Sequence, residues 1–388
     1  MGGGTASTGV AELDQALGGL YWGDNVVWET DERTPVEPFF RAIAETRSAY
    51  DVAVFVTLTR EPASVHESYP ALDVLDARPG TSLAQPRLLL ERIRRACLDS
   101  RRTLLLLDSL DAMSAQWGNE TARRFFLRGC PLLLELGAVA YWSLVPRMHS
   151  KKVRGEIEEV TQCVLAVGEG RVRIAKAEGR APGVAGRVFR YRIEDRRPVL
   201  APAPAAARLG TALRALRVQR GLSQGDLARL SGVSPSAISQ AERGHRGLSL
   251  ETLLDLTAKL NITLDEFLRG EDAPGYRLAR GDARQGRAEG RAIPLLDDPL
   301  AGLRAYLVRL SPGGSAAPGF PHKDVEIVAV AQGLVQVILP TGRPVLRQGE
   351  ALLAERSGVT GWRNLGEGEA IVFWVLRDEP TRRAEGAA

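Results

Sequence analysis

The sequence is poor in lysine, in cysteine and in long apolar runs. Of 51 basic residues only Lys151, Lys152, Lys176, Lys259 and Lys323 are lysine, and none precedes position 151. Three cysteines, Cys97, Cys130 and Cys163, lie far apart with no CxxC pair. That excludes a zinc ribbon and a disulfide framework, and leaves buried cytosolic thiols as the expectation. No run approaches the ~20 apolar residues that span a bilayer. Met1-Gly2-Gly3-Gly4-Thr5 lacks the basic and apolar stretches of a secretory leader, so a cytoplasmic location without membrane contact is expected. The rest is ordinary: 44% hydrophobic and 25% charged residues exclude a mainly disordered or collagen-like chain. At roughly 100–200 residues per domain, 388 residues suggest two to four domains. A net charge of +4 is too mild to identify a nucleic-acid partner by itself.

Two composition breaks divide the chain. Residues 198–207 form a Pro/Ala stretch that reads as a semi-extended linker, and residues 270–292 are rich in Gly, Arg and Asp. Before the first break, apolar bursts at 25–28, 52–58, 103–107, 139–144 and 163–167 alternate with helical patterns at 38–49, 86–99 and 122–136. Short buried strands between helices predict an α/β domain with a parallel sheet over 1–197. Residues 208–270 are helical in pattern, with Ser223, Ser234 and Ser249 placed to cap. Residues 271–388 change period: strand-like stretches at 303–310, 326–331, 333–339, 351–354 and 370–376 are broken by Pro/Gly turns. That predicts an all-β jelly roll or barrel.

Residues 222–243 read Leu-Ser-Gln-Gly-Asp-Leu-Ala-Arg-Leu-Ser-Gly-Val-Ser-Pro-Ser-Ala-Ile-Ser-Gln-Ala-Glu-Arg. One helix is capped by Ser223, Gly232 supplies the positive φ of a tight turn, and Ser234 caps a second helix with Pro235 at its first position. Leu227, Ala228, Val233 and Ile238 are spaced to pack the pair together. Ser236, Ser239, Gln240 and Arg243 fall on the solvent side, where they can reach base edges and phosphates. Residues 208–246 carry seven arginines (208, 214, 217, 220, 229, 243, 246) against Asp226 and Glu242. Over about 60 residues the segment closely resembles the Cro/lambda-repressor (XRE) helix-turn-helix family. The resemblance implies that Gln224 contacts phosphate or an adjacent base. It puts Ser234, Ser236, Ser239 and Gln240 in the major groove and Arg243 and Arg246 on the backbone. Glu242 would tie the recognition helix to its domain.

In the last segment, Gly314, Phe320, His322, Glu326 and Gly333, followed by Gly349 and Asn364, resemble the two motifs of the cupin family. Its usual ligands are two histidines and a glutamate. Here His322 and Glu326 occupy ligand positions, while Phe320 and Thr360 hold the other two, too few donors for a first-row metal. The resemblance implies instead an organic-ligand cup with polar contacts from His322, Glu326, Thr360 and Trp362, or a structural His/Glu pair.

Residues 7–28, with Thr8-Gly9, Leu13-Asp14, Leu17-Gly18-Gly19 and Gly23-Asp24, look like the start of the RecA/KaiC-like ATPases, and 104–108 like the strand that ends in a Walker B aspartate, Asp108. The loop after Trp28 reads Glu29-Thr30-Asp31-Glu32-Arg33-Thr34-Pro35-Val36-Glu37-Pro38, without glycine or lysine. Backbone N–H groups have no open approach to a phosphate, and acidic side chains stand where one would sit. No nucleotide cofactor is expected, and the domain reads as a scaffold. His149, Lys151, Lys152 and Arg154 follow a strand as a basic cluster, read as a solvated loop or as an anion or DNA contact.

The sequence thus predicts a bacterial DNA-binding transcriptional regulator in three domains: a degenerate RecA-like α/β domain, the helix-turn-helix and a cupin-like barrel. Expected partners are an operator duplex, a second copy of the chain or a higher homo-oligomer, a small-molecule effector and a protein partner of the first domain. The competing readings are a KaiC-like ATPase, a metal-dependent cupin enzyme, and a protein adaptor with vestigial DNA binding.

Overall fold

Continuous apolar runs become the buried strands of a nine-stranded sheet. The computed structural model describes residues 5–31, 36–168, 170–181, 183–244, 247–264, 267, 278, 291–298, 301–320, 325–355 and 358–377. They fall into two compact units, 4–277 and 278–388. The first unit opens with α1 (Ala11–Leu17), β1 (Asn25–Thr30), α2 (Glu37–Glu45), β2 (Val52–Thr57), α3 (Pro62–Ser68) and β3 (Asp73–Asp76). It continues with α4 (Pro86–Leu98), β4 (Thr103–Asp108), α5 (Leu110–Trp117), α6 (Asn119–Glu135), β5 (Val139–Leu144), α7 (Lys151–Val160) and β6 (Cys163–Gly168). Strands β3, β2, β4, β5, β1 and β6 lie side by side in that order, all parallel. Alternate residues feed separate cores. Val26, Trp28, Phe55, Leu104 and Tyr141 join α1 and α2 on one face. Val27, Val54, Leu105 and Trp142 join α4 and α6 on the other. A strand buried on both faces has no polar side, which is why these segments read as unbroken apolar bursts. All three cysteines are buried free thiols.

The sheet then continues antiparallel through β7 (Arg171–Ala177), β8 (Val188–Glu194) and β9 (Arg197–Pro202). These strands were not anticipated. Arg171 and Arg173 of β7 and Arg190 and Arg192 of β8 alternate with Val172, Ile174, Phe189 and Tyr191, so these strands carry arginines on one face and apolar side chains on the other. β9 occupies the front of the stretch expected to be a linker, with Leu200 buried in the core at 4% exposure. Its two prolines are tolerated because β9 is the outermost strand, where a missing N–H breaks no second ladder.

Four helices follow: α8 (Ala205–Gln219), α9 (Gln224–Ser231), α10 (Pro235–Glu242) and α11 (Leu250–Lys259). Leu213, Leu216, Leu227, Ala228, Ile238, Ala241 and Leu256 form their common core.

The second unit is all-β among its described residues. Its strands are β10 (Ala292–Asp298), β11 (Leu303–Leu310), β12 (Ser315–Ala316), β13 (Val325–Gln332), β14 (Leu334–Ile338), β15 (Val345–Arg347), β16 (Ala351–Ala354), β17 (Gly361–Asn364) and β18 (Ala370–Arg377). Two antiparallel sheets result, ordered β10-β11-β18-β13-β16 and β12-β17-β14-β15. Val308, Val328, Val372 and Trp374 of one share a core with Val335, Val337 and Trp362 of the other. Among the described residues of the whole chain, no helix is long and apolar enough to cross a membrane.

Candidate nucleic-acid interface

Local chemistry fixes the boundaries of the two central helices. Ser223 accepts from the Asp226 N–H at 3.0 Å, and Asp226 accepts from the Ser223 N–H at 2.9 Å, a closed capping box at the start of α9. Gly232 ends α9 at φ +69, a left-handed conformation open to glycine. Two residues later the Ser234 hydroxyl accepts from the Ala237 N–H at 3.1 Å and starts α10, with Pro235 where no N–H is required. Glycine has a second use in α8. A Cβ on Gly210 would stand 2.1 Å from the carbonyl oxygen of Ala241, so only glycine lets α8 and α10 cross this closely.

Within α10, Ile238, Ala241 and Glu242 face inward, while Ser236, Gln240 and Arg243 are exposed and Ser239 is half-buried. Positions 236, 239, 240 and 243 lie three and four apart and so share one helix face. Among the described residues, the side chains of Ser236, Ser239 and Gln240 have no protein hydrogen-bond partner. Ser234 stands exposed at the helix start, its oxygen committed to the cap. Arg243 donates from Nε to the carbonyl of Ser239 at 3.1 Å. Arg246 lies outside the described residues.

The inward face carries a charged clamp. Glu242, with its side chain 4% exposed, receives Arg217 Nε on Oε1 at 2.5 Å and Arg217 Nη2 on Oε2 at 3.2 Å. Gln224 Nε2 donates to the same Oε2 at 2.8 Å, and Arg217 Nη1 reaches the carbonyl of Leu222 at 3.0 Å. One buried carboxylate thus ties α8, the start of α9 and the end of α10 together. In this structure the amide of Gln224 serves that clamp. The partnership of Arg217 with Glu242 spans 25 residues and left no local signal in the sequence.

A second contact joins this domain to the large sheet. Arg171 of β7 donates from Nη2 to the carbonyl of Arg243 at 3.0 Å. A guanidinium at the last carbonyls of a helix satisfies an orphan acceptor and complements the negative end of the dipole.

At the carboxyl ends of the parallel strands, Asp108 accepts from the Thr59 hydroxyl at 3.1 Å. Burial pushes its carboxyl above the usual carboxylate range, opposed by that hydrogen bond and by Arg60. Burial also raises Glu29, helped by Glu158 and opposed by Arg154 and Arg173. Glu29 and Asp108 thus place carboxyl groups at these strand ends, and residues 32–35 of the loop that follows β1 lie outside the described residues. The expected basic cluster separates. His149, with its side chain 6% exposed, binds Asp111 at 2.9 Å, whereas Lys151 and Lys152 are exposed on the first turn of α7, which Ser150 caps.

In the β unit, Glu326 is fully buried, accepting on Oε2 from the Val359 N–H at 3.0 Å and from Trp374 Nε1 at 2.8 Å. Trp362 is also fully buried, its ring 5.1 Å from that of Trp374. Thr360 is exposed, and its hydroxyl donates to the carbonyl of Ile338 at 3.0 Å. Glu326 and Trp362 therefore both adjoin Trp374 in the interior, Thr360 is on the surface, and His322 is outside the described residues. Among the described residues no three His, Cys, Asp or Glu side chains gather here to hold a metal ion.

Comparison with known proteins agrees with the helical segment. Residues 213–267 match the family profile described as Helix-turn-helix, and this segment is a helix-turn-helix domain. The HTH-type transcriptional regulator DdrOP3 of Deinococcus deserti is 39% identical over 84 residues, 22% of this chain and 64% of that regulator. The HTH-type transcriptional regulator PuuR of Escherichia coli is 29% identical over 129 residues, 32% of this chain and 70% of PuuR. The chain thus spans about two thirds of the length of the curated relatives it matches. Among solved structures, a KaiC-like protein from Pyrococcus horikoshii aligns at 18% identity and a TM-score of 0.42, over 51% of this chain and 99% of its own. An HTH_3 family transcriptional regulator from Vibrio cholerae aligns at 21% identity and a TM-score of 0.21, over 45% and 96%.

Proposed function

We propose that the protein is a sequence-specific DNA-binding transcriptional regulator. One observation carries this reading: α10 presents Ser236, Ser239, Gln240 and Arg243 on a single face while its buried end is clamped by Glu242. Rigid support behind an uncommitted polar face is what base readout needs. The relatives' description as HTH-type transcriptional regulators supports the same conclusion. Two copies related by a two-fold axis place two α10 helices in major grooves about one helical turn, ~34 Å, apart. Gln240 reads a base edge. Arg243, joined by Arg246, neutralises backbone phosphate.

The β unit belongs to the cupin-like class and takes a small organic effector near Glu326 and Trp362. The parallel-sheet domain is a RecA/KaiC-like scaffold without ATP turnover. It meets a protein partner.

The test is selection from a genomic fragment library that includes the protein's own upstream region, at two salt concentrations. An enriched inverted repeat with steep salt dependence is expected. Gln240→Ala relaxes base choice at one position by about 1–3 kcal/mol, and Arg243→Ala flattens the salt slope by about one phosphate. Recovery of no preferred sequence, or an unchanged profile in both variants, refutes the reading and favours the adaptor. ATP turnover by the purified protein would revive the ATPase alternative.

A further inference from the structure

The antiparallel strands β7 and β8 leave a basic surface that the helix-turn-helix does not account for. Val172, Ile174 and Phe189 point into the core. The alternate residues Arg171, Arg173, Arg190 and Arg192 therefore share the opposite face. Arg171 and Arg190 are direct cross-strand partners. Like charges placed so in a sheet repel one another and weaken the pairing. Arg173 is offset by Glu29, and Arg192 pairs with Glu194. Arg171 and Arg190, by contrast, have no carboxylate partner among the described residues. Their position is the second observation. The Arg171 guanidinium lies 3.0 Å from the main-chain oxygen of Arg243, the residue at the exposed end of α10. Adjacent strands in a sheet stand about 5 Å apart, so Arg190 stands beside Arg171 on the same face, one strand further along the sheet.

We propose that Arg171 and Arg190 form a second phosphate-binding surface, on the α/β domain, which extends the grip of α10 along the DNA backbone. The inference rests on the DNA-binding reading above and adds a contact from outside the helix-turn-helix. The occupant is duplex DNA rather than another polyanion because the two arginines are continuous with the reading helix. A backbone contact of this kind sets register and affinity without carrying sequence information. Repulsion between the paired guanidiniums is relieved when phosphates lie across them, so the arrangement is adapted to the bound state.

The experiment uses the full chain and a duplex carrying the selected sequence, with affinity measured between about 50 and 200 mM salt. Parent protein is measured first. Arg190→Ala leaves the Arg171–Arg243 bond in place and is expected to flatten the log–log salt slope by about one. Arg171→Ala with Arg190→Ala flattens it by about two, so the loss of affinity is roughly tenfold greater at the lower salt than at the higher. Base preference stays that of the parent, and Arg190→Lys keeps the parent slope. Hydroxyl-radical protection beyond the base pairs under α10 disappears in the double variant. A parent slope and parent footprint in Arg190→Ala overturn this proposal while leaving the regulator reading intact. Failure of the parent to bind any duplex overturns both.

Discussion

Replacing Glu242 by alanine tests whether the charged clamp positions the reading helix. The substitution removes three hydrogen bonds: two from Arg217 at 2.5 and 3.2 Å and one from Gln224 at 2.8 Å. Breaking a fully buried ion pair by deleting one partner costs about 3–5 kcal/mol, because the remaining charge is stranded. Here Glu242 is 4% and Arg217 16% exposed, and Arg217 keeps its bond to the Leu222 carbonyl at 3.0 Å. Arg217 can therefore turn partly to water, which brings the cost below that range, to about 2–3 kcal/mol. At 1.4 kcal/mol per factor of ten, amide hydrogen exchange across α8–α10 should accelerate by roughly 30- to 140-fold. The parallel sheet, built on separate cores, should keep its protection. Exchange read by mass spectrometry resolves the two regions in one experiment. Glu242→Gln, which keeps an acceptor but loses the charge, should fall between parent and alanine. Parent-like exchange in α10 of Glu242→Ala, together with an unchanged selected sequence, would refute the claim that the clamp positions the helix.

Gly210→Ala drives a methyl group into the main chain of α10, 2.1 Å from the Ala241 oxygen, and backbone cannot step aside as a side chain can. A loss of about 1–3 kcal/mol in the stability of the helical region is expected, read from its denaturant midpoint; a parent midpoint would show that the helices cross more loosely. Asp108→Asn tests the half-buried carboxyl at the end of β4. Burial raises its pKa in the folded state, so between the ordinary carboxylate value and the raised one the native protein holds the extra proton and stability falls as pH rises. The neutral amide should therefore stabilise the protein near neutral pH, with the gain fading as pH drops through that window. A loss of stability at neutral pH in Asp108→Asn would contradict the sign.

Features set by neighbours in the chain were legible from sequence, and features set by distant pairs were not. The caps at Ser223, Ser234 and Ser249 and the turn at Gly232 each involve residues within a few positions, and all four stand as read. The buried strands were legible because both faces of β1, β2, β4 and β5 are apolar. β7 and β8 escaped because alternate arginines mimic a solvated loop. β9 escaped because Pro198 and Pro202 argue against any strand but an edge one. In the candidate site, the exposed face of α10 followed from helical spacing alone. The ties of Glu242 to Arg217 and of Arg243 to Arg171 span 25 and 72 residues, and no periodicity reports such a pairing.

The same ties change how the charge of this region should be counted. Summed along the sequence, 208–246 has five more arginines than acids, as though all of them faced the duplex. In the fold, Arg217 is spent on buried Glu242 and Arg229 on Asp226. Arg217 is held by the planar fork that suits arginine, rather than lysine, to a carboxylate, whereas Arg229 makes a single exposed contact. A guanidinium already neutralised releases few counterions when DNA arrives, so it adds stability to the protein but little slope to a salt titration. Arg171 and Arg190, which the sequence count leaves out because they lie in another domain, enter it instead beside Arg243. The salt dependence of binding thus reads the spatial set of unpaired arginines, and the helix-turn-helix sequence alone misjudges that set in both directions.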